Sequence, residues 1–381
     1  MELRTLGRTG VLVGAIGLGT EYLLNQPQEI ATAVIQRAVD RDVTYFDTFW
    51  PQPWFRDKIG VAVKGLRDRI MLAGHLGAVM IGEQAGVSRD PVESKLFFDD
   101  YLARVGTDYV DVVMLHNCNT PEDLERLMAP GGLLDLARSL RVDGKARFIG
   151  MSGHNTVTAR QAVESGAIDL LMFPVNLASH AIPGTTELFA ACVRHNVGVV
   201  AMKPYAGGNL LSKQVTIYVE DFQIGRQEMP GAPTRFEKPA VITATQCLSY
   251  VLSQQGLTTA VPGCKSVEEL DAALAYLDAS EEDRVYAHLL PAFSDLATGE
   301  CVYCNHCLPC PAGIDIGRVL SLMAQVRGKL PPAVCVPDAR AAYSALEANA
   351  GDCLACGICT TRCPFGVDVV TQMEAAGGTF A

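Results

Sequence analysis

Eight short apolar segments recur along the first 264 residues, and they restrict the fold more than any other feature. They lie at 14–20, 43–48, 69–75, 109–117, 146–154, 168–176, 197–204 and 257–264. Amphipathic stretches with helical periodicity, such as 27–42 and 156–167, separate them. Strands that are buried on both faces and alternate with helices predict an α/β fold, a (β/α)8 TIM barrel over residues 1–280. An open doubly wound sheet is the alternative, but no GxGxxG follows the first segment.

Polar residues stand where these predicted strands end, which is the end at which such barrels carry their chemistry. In chain order they are Thr20, Asp47, His75, His116, Ser152, His154, Asn176, Lys203, Cys264 and Lys265. Titratable groups that converge on one mouth predict a site, with Asp47, His75 and His116 as catalytic candidates. Asp47 beside His75 would make the imidazole an acid for a carbonyl oxygen, and His116 would orient the substrate or act as a second acid or base. A carboxylate with two imidazoles is also a ligand set for zinc or non-haem iron, and a third alternative is a degenerate mouth whose polar residues are only structural.

The loop after the second predicted strand is crowded with aromatic residues, among them Trp50 and Trp54. Aromatic side chains at a barrel mouth commonly line a substrate pocket, and we place His154 in the same pocket. The alternative is a lid that packs over helices or against the C-terminal residues.

The balance of charges and the cysteine distribution limit partners and compartment. A net charge of -11 argues against nucleic acid or an anionic membrane as partner. The N-terminal residues lack a leader's apolar region, and no apolar run is long enough to span a membrane.

Nine of the 13 cysteines lie in the last 81 residues with regular spacing, which indicates a cofactor and not disulfides. We expect a reducing cytoplasm in a cell that protects oxygen-sensitive clusters, such as an anaerobic one.

Two cysteine runs, CVYCNHCLPCP at 301–311 and CLACGICTTRCP at 353–364, carry the strongest signal. The second has the bacterial ferredoxin spacing C-x2-C-x2-C-x3-C-P, and the first shortens the last gap by one residue. They predict a ferredoxin-like domain with two [4Fe-4S] clusters over 299–381, after a helix and linker at 281–298. Zinc is the alternative metal. The resemblance to two-cluster ferredoxins implies crossed ligand sets, namely Cys301, Cys304 and Cys307 with Cys363, and Cys353, Cys356 and Cys359 with Cys310.

The barrel motifs LGRTGVLVGAIGLGT, FDT, LHN, IGMSG, AMKPYAGGNLL and VPGCKSVEEL occur in the order and spacing of a known family. The chain resembles the aldo-keto reductases, in particular the branch with a C-terminal iron–sulfur domain. In that family an Asp, a Tyr, a Lys and a His surround the carbonyl that NADPH reduces. Asp47 and His116 match this set, whereas Gln52 stands at the Tyr position and His75 at the Lys position.

The same resemblance implies cofactor-binding residues, carried over here as Ser152, Asn176, Lys203, Lys265 and Ser266. Other nicotinamide contacts are replaced, and Glu269 stands where an arginine would bind the 2′-phosphate. A carboxylate repels a phosphate, so we expect NADP(H) to bind in an altered manner or not at all.

These features predict an oxidoreductase for a small oxygenated substrate, aromatic or not. The catalytic trio would supply protons, and the clusters would pass electrons from a ferredoxin- or flavodoxin-type donor. One alternative is a non-redox lyase or dehydratase on a repurposed barrel with structural clusters. Another is an electron-transfer partner protein whose barrel is only a docking scaffold.

Overall fold

A computed structural model describes residues 1–179, 182–211, 214–221, 234–293, 301, 303, 305, 307–330, 335–363 and 365–381, with side chains left out of the description between 216 and 238. The strands are β1 (Leu3–Thr5), β2 (Leu12–Gly14), β3 (Leu18–Gly19), β4 (Tyr45–Thr48), β5 (Met71–Leu76), β6 (Ala78–Ile81), β7 (Gln84–Val87), β8 (Val110–Leu115), β9 (Ala146–Ser152), β10 (Leu170–Pro174), β11 (Gly198–Met202), β12 (Gln214–Asp221), β13 (Thr234–Val241) and β14 (Leu257–Val261). Eight of them form one sheet, in the order β14-β11-β10-β9-β8-β5-β4-β3.

The sheet closes on itself between its first and last strands. Parallel bridges join Ile16 to Ala260 and Gly19 to Gly263. The Gly17 amide donates to the Ala260 carbonyl at 2.8 Å, and the Gly19 amide donates to the Pro262 carbonyl at 3.0 Å. The predicted barrel is confirmed, and the open-sheet alternative is wrong because an open sheet would leave these backbone groups at an edge.

Helices surround the barrel and build the C-terminal part of the chain. They are α1 (Gln28–Asp40), α2 (Pro53–Val63), α3 (Pro91–Val105), α4 (Pro121–Met128), α5 (Leu133–Val142), α6 (Thr156–Glu164), α7 (Thr185–Arg194), α8 (Ala244–Leu252), α9 (Val267–Leu274), α10 (Ile316–Val326), α11 (Ala339–Ser344), α12 (Ile358–Arg362) and α13 (Val369–Phe380). Local sequence fixes their starts. Asp90 caps α3 just before Pro91, and Thr243 forms a capping box with Gln246 at α8.

The C-terminal helices enclose a hydrophobic core of their own, which includes Ile314, Val319, Leu320 and Met373. We call residues 301–381, as far as they are described, the tail. Between the two cysteine runs lie α10 and the shorter α11. In 281–298 the structure has a 3₁₀ helix at Ala287–Phe293, where Pro291 has no amide hydrogen to donate, and residues 294–298 lie outside the described part.

The antiparallel hairpin β6–β7 connects the barrel to the tail. The Gln84 side chain donates to the Ile314 carbonyl at 3.2 Å and accepts from the Cys310 amide at 2.7 Å. On the other side of the mouth, the Asn209 side chain donates to the Cys301 carbonyl at 3.0 Å. In the described ranges no helix has the length and apolar character needed to cross a membrane.

Candidate active site

Three neighbouring parallel strands bring Asp47, His75 and His116 together at the mouth. β4 pairs with β5 and β5 with β8, so that the carboxyl ends of the three strands lie side by side. Asp47 Oδ1 lies 2.9 Å from His75 Nε2, and His75 Nδ1 lies 2.8 Å from His116 Nδ1. We call this hydrogen-bonded chain the relay. The sequence identified its members but not their order.

The relay has a buried end and an outer end. A carboxylate can only accept, so His75 Nε2 carries the proton that Asp47 binds, and His75 Nδ1 is shared with His116. Asp47 and His75 are buried, whereas His116 is half-buried. Because His75 lies between the other two groups, the three side chains form a line and do not converge on one point as metal ligands would.

Aromatic residues of the loop after β4 hold the outer end in place. The Phe49 ring stacks on His116 at an interplanar angle of 17° and packs against Trp50. Trp50 is buried, and its indole nitrogen donates to the Glu21 carbonyl at 3.1 Å. Gln52, at the position of the family tyrosine, has a buried Oε1 with no hydrogen-bond partner in the described part of the chain.

A second polar group lies beside the relay and was not predicted as a unit. Lys203 Nζ lies 3.1 Å from His154 Nε2, and the His154 ring meets Phe365 of the tail edge-on. Lys203 has a left-handed backbone with φ of 56°, a conformation that costs free energy in a residue other than glycine. Burial raises the pKa of Glu21, and the nearby Lys203 charge opposes that rise. The only sequence signal for Glu21 was its place one residue after the first strand-end residue, Thr20.

Three of the residues carried over as cofactor contacts are engaged in the scaffold. The Ser152 hydroxyl accepts from the Asn117 amide at 2.9 Å. The Asn176 side chain donates to the Lys203 carbonyl at 3.0 Å and accepts from the Ser179 amide. The Ser266 hydroxyl caps α9.

Lys265 is matched by a carboxylate of its own loop. Glu269 Oε1 lies 3.4 Å from Lys265 Nζ, and Glu269 Oε2 accepts from the Lys265 amide at 2.9 Å. The carboxylate therefore partly neutralises the cation that a cofactor phosphate would use at this loop.

A cavity of about 390 Å³ lies between the barrel mouth and the tail. Lys203, Lys265 and Trp50 line it from the barrel, and residues of α10 and the first cysteine run line it from the tail. Trp54 lies elsewhere, 51% exposed on α2, with the Lys58 ammonium over its ring. Of the predicted pocket residues, the structure brings Trp50 to this cavity and leaves Trp54 and His154 outside its lining.

The tail gathers cysteines from both runs around a second, small cavity with mostly apolar walls. Its cysteines are Cys307, Cys310, Cys353, Cys356 and Cys359. Cys301 and Cys363 are half-buried, Cys335 lies on the wall of the large cavity, and Cys304 is outside the described residues. Cys310, Cys353, Cys356, Cys359 and Cys363 are free thiols. Within the described ranges no three Cys, His, Asp or Glu side chains are close enough to hold a metal ion.

Both cysteine runs bend in the same way. Tyr303 and Asn305 flank the second cysteine of the first run with φ of 54° and 58°, and Ala355 and Gly357 flank that of the second run with φ of 48° and 75°. Three of these four residues are not glycine, so their left-handed conformation costs free energy. Such a conformation at matching positions is expected where a loop wraps around a bound group.

Comparison with known proteins supports the barrel fold. Residues 11–289 match the model of the aldo/keto reductase family. The chain is similar to the uncharacterized oxidoreductase YqkF of Bacillus subtilis, with 22% identity over 284 residues that cover 71% of this chain and 89% of YqkF. It is also 22% identical to L-galactose dehydrogenase of Arabidopsis thaliana, over 72% of this chain and 88% of that enzyme. Among solved structures, aldo-keto reductase AKR11C1 from Bacillus halodurans in its holo form superposes with a TM-score of 0.62 at 21% identity, covering 78% of this chain and 98% of that one.

Proposed function

The chain belongs to the aldo/keto reductase family, and from that premise we propose that it is an oxidoreductase whose relay exchanges protons with a small oxygenated substrate. The observation that carries this proposal is the hydrogen-bonded line from Asp47 through His75 to His116. It occupies the mouth, where the family's chemistry lies, and it contains the residue that replaces the family lysine.

His116 is the group that meets the substrate. Its Nδ1 lies 2.8 Å from His75 Nδ1, and we assign proton transfer to its other ring nitrogen, Nε2. In the reductive direction, His116 as imidazolium transfers its Nε2 proton to the substrate oxygen and is left as the Nδ1–H tautomer. The buried Asp47 and His75 fix the tautomer and ring orientation of His116 and stabilise the charge it carries before transfer.

Reducing a carbonyl to an alcohol takes two electrons and two protons. His116 supplies the proton on oxygen, and the carbon receives two electrons with the second proton. A nicotinamide delivers these as hydride. A one-electron carrier protein of the ferredoxin or flavodoxin type would instead deliver the electrons singly, with the second proton drawn from solvent.

We favour single-electron delivery through the tail. The eight cysteines of the two runs would hold two [4Fe-4S] clusters, which pass one electron at a time. One cavity brings Cys307 and Cys310 of the first run together with Cys353, Cys356 and Cys359 of the second, which supports ligation shared between the runs, and the matched left-handed residues suit loops that wrap clusters. In the barrel, the ion pair between Glu269 and Lys265 weakens the attraction that Lys265 would exert on the phosphate of NADPH.

A nicotinamide enzyme with structural clusters is the second candidate, because the matched family is one of reductases and Lys203 lines the large cavity. An anaerobic titration of cluster-loaded protein with NADPH and NADH separates the two, with intrinsic fluorescence reporting binding and the visible cluster absorbance reporting reduction. We expect no binding up to millimolar concentrations, while dithionite bleaches the clusters. Tight nicotinamide binding would overturn delivery through the tail and leave the relay's role intact.

A further inference from the structure

Arg89 lies beside the strand ends that carry the relay and makes contacts that the proposed function does not use. It stands between the hairpin β6–β7 and α3, and its side chain is only 13% exposed. Its guanidinium forms a two-point ion pair with Asp123 of α4, with Nε 2.7 Å from Oδ1 and Nη2 2.5 Å from Oδ2. Such a planar pair fixes the orientation of the guanidinium as well as its position.

The same guanidinium holds the backbone next to His116. Arg89 Nη2 donates to the Asn117 carbonyl at 3.0 Å. Asn117 has a left-handed backbone with φ of 53°. Asparagine adopts this conformation more readily than most residues, but the surroundings still have to hold it there. Arg89 therefore supports the conformation of the residue directly after the proposed acid.

The neighbouring peptide groups of this segment are held from the strands. The His116 amide donates to the Leu76 carbonyl at 3.0 Å, and the Asn117 amide donates to the Ser152 hydroxyl at 2.9 Å. These bonds tie the segment to β5 and β9, whereas Arg89 ties it to the helix layer through α4. Because the backbone is held from both sides, loss of the Arg89 contact would let the peptide after Asn117 rotate and would move the His116 ring.

We propose that Arg89 is a positioning residue for the relay, which holds Asn117 in its left-handed conformation and so keeps the His116 ring at hydrogen-bonding distance from His75. The two Nδ1 atoms are 2.8 Å apart, so a displacement of about 1 Å would break this hydrogen bond. The effect of Arg89 on turnover rests on the proposed function of the relay, whereas its effect on the hydrogen bond does not.

Arg67 offers a matched control at the opposite end of the same two strands, β5 and β8. Its guanidinium pairs with Asp111 at 2.8 Å and donates to the carbonyls of Ile70 and Tyr109, just before these strands begin. Its side chain is 18% exposed, close to the 13% of Arg89. Arg67→Gln therefore removes the same kinds of contact as Arg89→Gln, but away from the relay.

The first measurement is proton NMR of the full-length, cluster-loaded protein with isotope-labelled histidine. The proton shared by His75 and His116 is identified as the low-field imidazole resonance that His116→Gln removes. Its exchange with solvent should be at least about tenfold faster in Arg89→Gln than in wild type and unchanged in Arg67→Gln. Arg89→Lys keeps a positive charge beside Asp123 but cannot form two parallel hydrogen bonds, so the proton should exchange faster in this variant too.

The second measurement separates positioning from a loss of stability. With small aldehydes and chemically reduced protein, Arg89→Gln should lower kcat about 10- to 100-fold and leave KM unchanged, as expected of a misplaced acid. Arg67→Gln should lower Tm by a similar amount and keep the kcat of wild type.

Four results would each overturn the proposal: unchanged exchange in Arg89→Gln, equal effects of Arg89→Gln and Arg67→Gln, full recovery in Arg89→Lys, and no shared-proton resonance in wild type. If wild type reduces no carbonyl, the proposed function fails, while the comparison of exchange rates still decides the role of Arg89.

Discussion

Both ring nitrogens of His75 are engaged inside the mouth, by Asp47 and by His116, so in the proposed mechanism His75 orients His116 and does not touch the substrate. In the proposed mechanism, this position would explain how the chain can lack the family tyrosine and lysine. The buried imidazole at the lysine position would orient His116 through their hydrogen bond, so that His116 serves as the acid.

Changing His116 to Gln should lower the rate of carbonyl reduction by a factor of roughly 10² to 10⁴, the usual contribution of a general acid. The measurement is the initial rate with a panel of small aldehydes and ketones and chemically reduced protein. His195→Gln is the control, because His195 lies just before β11, at the opposite end of the barrel. Equal losses in the two variants would contradict the assignment.

Glu21 gives a prediction about pH. Its pKa is raised above the unfolded value of 4.5, so the folded protein binds this proton more tightly than the unfolded chain does. The resulting stabilisation is full below that value and is lost as pH rises through the raised folded pKa. Glu21→Gln should therefore gain stability relative to wild type as pH increases, measured as the difference in Tm at several pH values. The exposed Glu281→Gln should show no such trend.

At the scale of elements, the proposed cluster ligation would make the two cysteine runs determine how the tail is connected. The second run carries three of the four cysteines that we assign to its cluster, and the fourth, Cys310, comes from the first run. The tail would then be held together by ligands from distant parts of the chain, so that removing one cysteine affects the cluster of the other run.

Cys310→Ser should damage the cluster held by Cys353, Cys356 and Cys359 and spare the other one. Iron analysis and electron paramagnetic resonance of the reduced protein check this, with iron falling from about eight atoms per chain toward about four. Cys335→Ser should change neither, since Cys335 belongs to neither run. Loss of the first run's signal in Cys310→Ser would show uncrossed ligation.

Sequence periodicity predicted the barrel strands well where they are apolar, as at 69–75 for Met71–Leu76. It failed for the hairpin β6–β7, whose turn at Gly82 and Glu83 is polar and whose role is a contact with the tail. The relay residues followed from their positions at strand ends. The order of the hydrogen bonds in the relay could not be predicted from the sequence, and neither could the contact between His154 and Lys203. Both depend on side-chain directions, which are set by packing between strands that are distant in sequence.

For the whole molecule, the contact between hairpin and tail decides whether the large cavity has its second wall. Gln84 alone makes two hydrogen bonds to the tail. Gln84→Ala should weaken docking by about 1–3 kcal/mol, the sum of two ordinary hydrogen bonds.

Hydrogen exchange measured by mass spectrometry should show the amides around Cys310 exchanging at least about fivefold faster in Gln84→Ala. Glu83→Ala changes the exposed neighbour in the same turn and should leave exchange as it is. If both variants behave like wild type, Gln84 does not hold the tail.

The barrel is closed by contacts between β3 and β14, and this has a consequence for folding during synthesis on the ribosome. The strand at Leu18–Gly19 leaves the ribosome early, but its partner at Leu257–Val261 follows more than two hundred residues later. Throughout that interval the nascent barrel has an open, hydrogen-bonding edge that can pair with other chains. Slow translation or a long pause before residue 257 would prolong this exposure, so the yield of this protein depends on protecting that edge until the last strand arrives.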